Sequence, residues 1–169
     1  MTSTTAIENL VFEALVENLL VSKYSLDFRK DPIKWGRPGC YGFPAAILLL
    51  SIADMIGSYV LGGNTRNHFN ILNDNRYYDL RLSTEEIKEV YEKYRCRLTH
   101  NGALPLGRLL DIGSASDPIL ESLNGNLKLN LVPFWNKSYY CVEKFVRTES
   151  LSSSTIAREI LDTLPPSLS

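Results

Sequence analysis

One stretch constrains this chain more than any other: from Phe43 to Leu61 only Ser51, Asp54 and Ser58 interrupt an apolar run. A helix of that composition is apolar nearly all round, so it must be covered by lipid or by other helices. Asp54 decides between these. A carboxylate at the centre of a membrane span is costly in hydrocarbon, and no basic cluster flanks the segment to anchor it at an interface. The segment therefore reads as the central helix of a bundle or part of a subunit contact. It is expected to start near Pro44, which suits a first helical turn, and to stop at Gly62-Gly63-Asn64.

The remaining pattern supplies helices to cover it. A chain of 169 residues fits one domain and can bury a core without staples. Thr5 with Glu8 reads as a capping box opening a first helix. Ile7, Leu10, Val11, Ala14 and Leu15 recur at helical spacing, and the pattern fades near Ser22-Lys23. Breakers follow at Asp31-Pro32 and at Trp35-Gly36-Arg37-Pro38-Gly39. A short third helix is expected from Thr65 to Leu72. Ser83 and Glu86 form a second capping box, and Ile87, Val90, Tyr91, Tyr94 and Leu98 make one apolar stripe along a fourth helix. Asn101-Gly102 is its expected stop.

Beyond Gly102 the texture changes. Ile119 to Leu131 reads as a β-hairpin on the two-residue turn Asn124-Gly125. Two more helices are expected, from Asn136 to Arg147 with Tyr139, Val142 and Val146 inward, and from Ser154 to Leu164 before Pro165-Pro166. The only biased stretch is the serine run Ser150–Ser154. The fold class is mainly α, a single domain over 1–169. Its core bundle spans about 5–102, and a small hairpin between the fourth and fifth helices lies in the remaining 103–165.

Composition narrows the chemistry. A formal net charge of −1 excludes a broad basic coat, so any nucleic-acid contact must come from a local patch. Three widely spaced cysteines, Cys40, Cys96 and Cys141, fit reduced thiols of a cytoplasmic protein better than a disulfide framework. The opening residues Met1–Thr5 lack a signal peptide's charged and apolar regions. With His68 and His100 as the only histidines, a histidine-rich metal site is not expected, and no cofactor motif is present.

The suggestive feature is the end of the fourth helix, Arg95-Cys96-Arg97-Leu98-Thr99-His100. A histidine takes or gives a proton near neutral pH, and an arginine binds phosphate and stabilises charge growing on phosphorus. On a regular helix, however, Arg95 and His100 lie roughly 140° apart, at about 100° per residue. Convergence needs a distortion at the helix end or a second copy of the chain. Arg97 and His100, three apart, meet more easily within one chain.

An all-helical bundle with an arginine, four intervening residues and a histidine near a helix end resembles the HEPN superfamily. The resemblance covers about Thr5 to Gly102. It implies a homodimeric helical bundle and, in many members, a metal-independent endoribonuclease whose paired motifs meet at the dimer interface. By that resemblance Arg95 and His100 are catalytic, and the substrate's own 2′-hydroxyl leaves a cyclic phosphate; Asp54 and Arg97 are candidate supporting residues beside them. RNA and an antitoxin or other protein partner are implied with it. Cys96 departs from the polar residue, commonly asparagine, that often follows the arginine. The alternative is a non-catalytic member acting as a protein-interaction or RNA-binding module.

Plainer roles stand beside these. His100 would neutralise the helix dipole or cap a carbonyl, and Arg95 and Arg97 would pair with Glu92, Glu89 or a partner chain. Asp54 would either orient Arg95 or serve as a buried acid bonded to a neighbouring helix. Cys96 and His100 share a helix face, but no third orienting residue accompanies them. Tyr77-Tyr78 and Tyr139-Tyr140 suit base stacking or core packing equally, and His68 reads as structural.

Overall fold

The apolar run forms one helix, α3 (Gly42–Val60), and the rest of the chain packs around it. The computed structural model describes residues 2–35, 39–149 and 154–169. Ala45, Ala46, Leu49, Leu50, Ile52, Ala53, Ile56 and Gly57 of α3 are buried. The small residues among them let neighbouring helices approach closely. Those neighbours are α1 (Thr2–Asp27) and α7 (Leu131–Thr148), which also pack on each other. α3 is the one described helix long and apolar enough to cross a membrane, and its inner face lies in the core of the bundle.

α1 departs from expectation at both ends. It is already helical at Thr2, so Thr5 and Glu8 lie inside it rather than at a cap. It also continues past Ser22-Lys23, because the buried stripe Leu15, Leu19, Ser22 and Leu26 runs four residues further. Its serines are accommodated by bonding backwards: Ser22 Oγ donates to the Leu19 carbonyl at 2.8 Å and Ser25 Oγ to Val21 at 2.9 Å. Trp135 Nε1 donates to the same Leu19 carbonyl at 3.0 Å, riveting α7 to α1. A four-residue turn, α2 (Pro32–Trp35), follows α1, while positions 36–38 of the breaker-rich loop lie outside the described residues.

The expected third helix is α4 (Thr65–His68), capped by Asn64, whose side chain accepts from the Asn67 N–H at 3.2 Å. It tightens into a 3₁₀ turn over Phe69–Asn73, with Phe69, Ile71 and Leu72 buried. The Asn73 amide then closes the following loop, donating to the Leu82 carbonyl and accepting from the Leu82 N–H, both at 2.6 Å.

The fourth helix begins as expected. Ser83 and Glu86 form the capping box of α5 (Thr84–Glu89). It then widens into a π segment, Val90–Cys96, before returning to α6 (Arg97–Asn101). Gly102, at φ +62°, ends α6 in the left-handed conformation that a glycine adopts freely. Tyr94 explains the widening. It is fully buried, and its hydroxyl reaches the carbonyls of Leu127 and of Leu109, the latter at 3.3 Å.

Those carbonyls belong to a three-stranded sheet rather than a bare hairpin. β2 (Leu120–Leu123) and β3 (Asn126–Asn130) pair antiparallel on the Asn124-Gly125 turn, with both turn residues at positive φ. β1 (Arg108–Asp111), not foreseen, pairs parallel with β3 on its other side. The four residues of β1 carry too little alternation to signal a strand whose partner lies some 20 residues on. α7 starts at Leu131, directly after β3, and buries Leu131, Val132, Pro133, Phe134 and Trp135 before the expected Asn136. Val142 and Val146 face inward as expected, while Tyr139 is half-buried. α8 (Thr155–Thr163) is capped by Ser154, and Ser150–Ser153 lie outside the described residues.

The core carries protons that it will not release easily. Burial pushes the Cys141 thiol from 9.0 up to about 12. The Tyr78 hydroxyl, buried and 3.0 Å from Ser138 Oγ, is likewise held well above 10.0. The folded state holds these protons more tightly than the unfolded chain does. Their stabilisation is therefore complete below about 9 and is lost as the pH climbs towards 12. Urea midpoints measured from neutral pH upward should stay level as far as this contribution goes, then decline over that alkaline window.

Candidate functional site

The apolar helix carries one carboxylate, and the fold brings two basic side chains to it. Asp54 projects from α3 with its side chain 16% exposed. Arg95, on the π segment, directs Nη2 to Asp54 Oδ2 at 3.2 Å. His68, the last residue of α4, lies with Nδ1 2.9 Å from Asp54 Oδ1. Each carboxylate oxygen thus meets a different donor. The imidazole is 13% exposed and the guanidinium side chain 26% exposed, so the cluster sits at the edge of the core. Arg95 Nε is buried there without a hydrogen-bond partner.

Local features hold each member in place. Gly57 lies three residues after Asp54 on α3. A Cβ at Gly57 would fall 2.2 Å from the His68 carbonyl oxygen. Its absence is what lets the α4 turn press against α3 next to Asp54. The second ring nitrogen of His68, Nε2, lies 3.3 Å from the Gly63 carbonyl. Both ring nitrogens of His68 thus lie against oxygen acceptors. Arg66, on the same turn, donates to Glu92 of the π segment at 3.1 Å, a second tie between these two elements. Tyr91 packs its ring on Phe69, with centroids 5.5 Å apart. The pairing of the Tyr91 hydroxyl with Cys96, five residues on, raises its pKa, with burial adding to the effect. Residues i and i+5 are neighbours where a helix is π-wound.

The remaining residues expected at the site separate from this cluster. His100 and Arg97 are exposed on α6, whose turn is regular, so the helical distortion lies before Arg97 and does not fold His100 back towards Asp54. Arg95 faces α3 and His100 faces solvent. The expected pairing of Arg95 with Glu92 or Glu89 is corrected: Glu92 takes Arg66, Glu89 takes Arg108, and Arg95 takes Asp54. Tyr77 and Tyr78 are core residues, which removes them as base-stacking surfaces, whereas Tyr140 is half exposed. Among the described residues no group of three His, Cys, Asp or Glu side chains is gathered that could hold a metal ion.

His68 is the member that sequence reading passed over. One signal pointed to it: a glycine inside an apolar helix, three residues from that helix's only acid, which marks a close approach by another segment. Chemically, a guanidinium held by a carboxylate at a surface edge can present its remaining N–H groups to an anion. No family model matches this chain, and neither a curated protein nor a solved structure matches it.

Replacing Gly57 by alanine tests the geometry. Alanine gains about 1 kcal/mol in helix propensity. Overpacking against a backbone carbonyl, which cannot swing away as a side chain would, costs about 1–3 kcal/mol and outweighs that gain. Gly57→Ala should lower the urea midpoint and shift the nitrogen NMR signals of the His68 ring. Unchanged ring signals would show that His68 does not depend on this close approach.

Proposed function

We propose that this chain is a HEPN-like, cytoplasmic endoribonuclease that acts as a homodimer, with Arg95 and His100 as its catalytic residues. The observation that carries the reading is the Asp54–Arg95 pair, 3.2 Å long, which orients a guanidinium at the edge of the core. On the same helix the imidazole of His100 stands free in solvent. Lys93 and Arg97 flank Arg95 and give this helix end a local positive charge that the chain as a whole lacks. Because Arg95 and His100 face different ways, the reading needs a second copy to bring an imidazole to the phosphate that Arg95 holds.

In the proposed reaction a ribose 2′-oxygen attacks the adjacent phosphorus. The 2′-O–P bond forms, the P–O5′ bond breaks, and a 2′,3′-cyclic phosphate and a 5′-hydroxyl remain. The 2′ proton passes to water, and the His100 imidazolium of the other copy delivers a proton to O5′. Arg95 stabilises the charge that builds on the phosphoryl oxygens. Arg97 adds phosphate attraction at the rim.

A second reading is favoured by the same pair. Arg95 is already neutralised within its own chain, which suits an RNA-binding or protein-interaction module without cleavage. Incubating the purified protein with mixed single-stranded RNAs in EDTA separates the two. On the cleavage reading, cyclic-phosphate ends accumulate, and Arg95→Ala or His100→Ala slows their formation by about 10²–10⁴-fold. Binding without cleavage supports the module, and equal degradation by wild type and both variants means a contaminating nuclease.

A further inference from the structure

We infer that His68 is a positioning residue for Arg95, acting through Asp54, an inference that rests on the cleavage reading above. A carboxylate facing an arginine can offer both oxygens to it as a two-bond pair, which uses up much of the guanidinium's binding capacity. Here the second oxygen is occupied. Asp54 Oδ1 is 2.9 Å from His68 Nδ1, and Arg95 meets the other oxygen, Oδ2, at 3.2 Å through Nη2. His68 therefore does two things. It fixes the plane of the Asp54 carboxylate at its other end, and with it the direction from which Oδ2 meets Arg95.

The surroundings fit a group built for this task. His68 reaches Asp54 only because residue 57 lacks a Cβ, and its Nε2 is steadied by the Gly63 carbonyl at 3.3 Å. The π segment that presents Arg95 is tied to the same α4 turn by Arg66 and Glu92. Arg95 keeps a buried, unpartnered Nε and a side chain 26% exposed.

The test uses four variants of the full chain: His68→Leu, His68→Asn, Arg95→Ala, and His68→Leu with Arg95→Ala. Asparagine sets an amide N–H close to where Nδ1 lies, and leucine fills the space without a donor. Two quantities are read: cleavage of a labelled single-stranded RNA, and affinity for the same RNA with 2′-O-methyl riboses, which cannot be cleaved. His68→Leu should lower kcat by about 10-fold or more through misplacement of Arg95, with a smaller change in KM. His68→Asn should stay within about 3-fold of wild type. In the Arg95→Ala background the leucine substitution should add less than about 2-fold, because there is nothing left to position.

Several results overturn the inference. One is wild-type behaviour of His68→Leu while Arg95→Ala is impaired. Others are failure of His68→Asn to restore function, or a leucine effect equally large without Arg95; both would mark a role in stability only. If the wild type does not cleave, affinity for the 2′-O-methyl RNA still decides: a loss on Arg95→Ala that His68→Leu shares and His68→Asn repairs supports positioning. If Arg95→Ala changes neither quantity, the cleavage reading itself fails and the role of His68 falls with it.

Discussion

A carboxylate set in the middle of an apolar helix must be met by donors or be neutralised, and this requirement organises one side of the molecule. α3 cannot turn Asp54 away from its neighbours, since the helix is packed by α1 and α7 along its inner face. The chain meets the acid from two directions, with His68 at the end of a short capped turn and Arg95 on a widened helix. Each oxygen has its own donor. The cluster therefore depends on three segments that are distant in sequence, and it exists only when all three are docked.

The π segment is the second constraint. Val90 to Cys96 carries two obligations that a regular helix would have to reconcile. Tyr94 must enter the core far enough to reach the backbone carbonyls of the sheet, while Arg95, the next residue, must reach Asp54 on α3. π-winding changes the angle between successive residues and is often associated with functional positions in helices. The same segment brings Tyr91 and Cys96 together and sends Glu92 to Arg66. Two strands, a central helix and a short turn converge on this one stretch of seven residues.

Much of the bundle was readable from local pattern. The Ser83–Glu86 capping box, the Asn124-Gly125 turn and the Ser154 cap are short-range chemistry, and each is found where the residues place it. The misses share a cause. The start and end of α1, the strand β1 and the first turn of α7 depend on what lies across from them. Leu26 extends a buried stripe only if α1 has a core to bury it in, and Arg108–Asp111 is a strand only because β3 lies alongside. The π segment was hidden for a related reason. Ile87, Val90, Tyr91, Tyr94 and Leu98 fit an ordinary helical stripe, and the extra width answers to carbonyls more than a dozen residues away.

By itself the sequence determined that Phe43 to Leu61 would be a covered helix and that its one acid would need partners, because apolar periodicity and the desolvation of a carboxylate are local properties. It also placed an arginine and a histidine near the end of another helix and showed that regular winding turns them apart. Which donors reach Asp54 was decided only by tertiary structure. A missing Cβ at Gly57 admits His68, and Arg95 swings to α3 while His100 stays in solvent. Such contacts are set by distances of a few ångströms between segments that the chain separates by up to 41 positions, and no spacing rule within a segment encodes them.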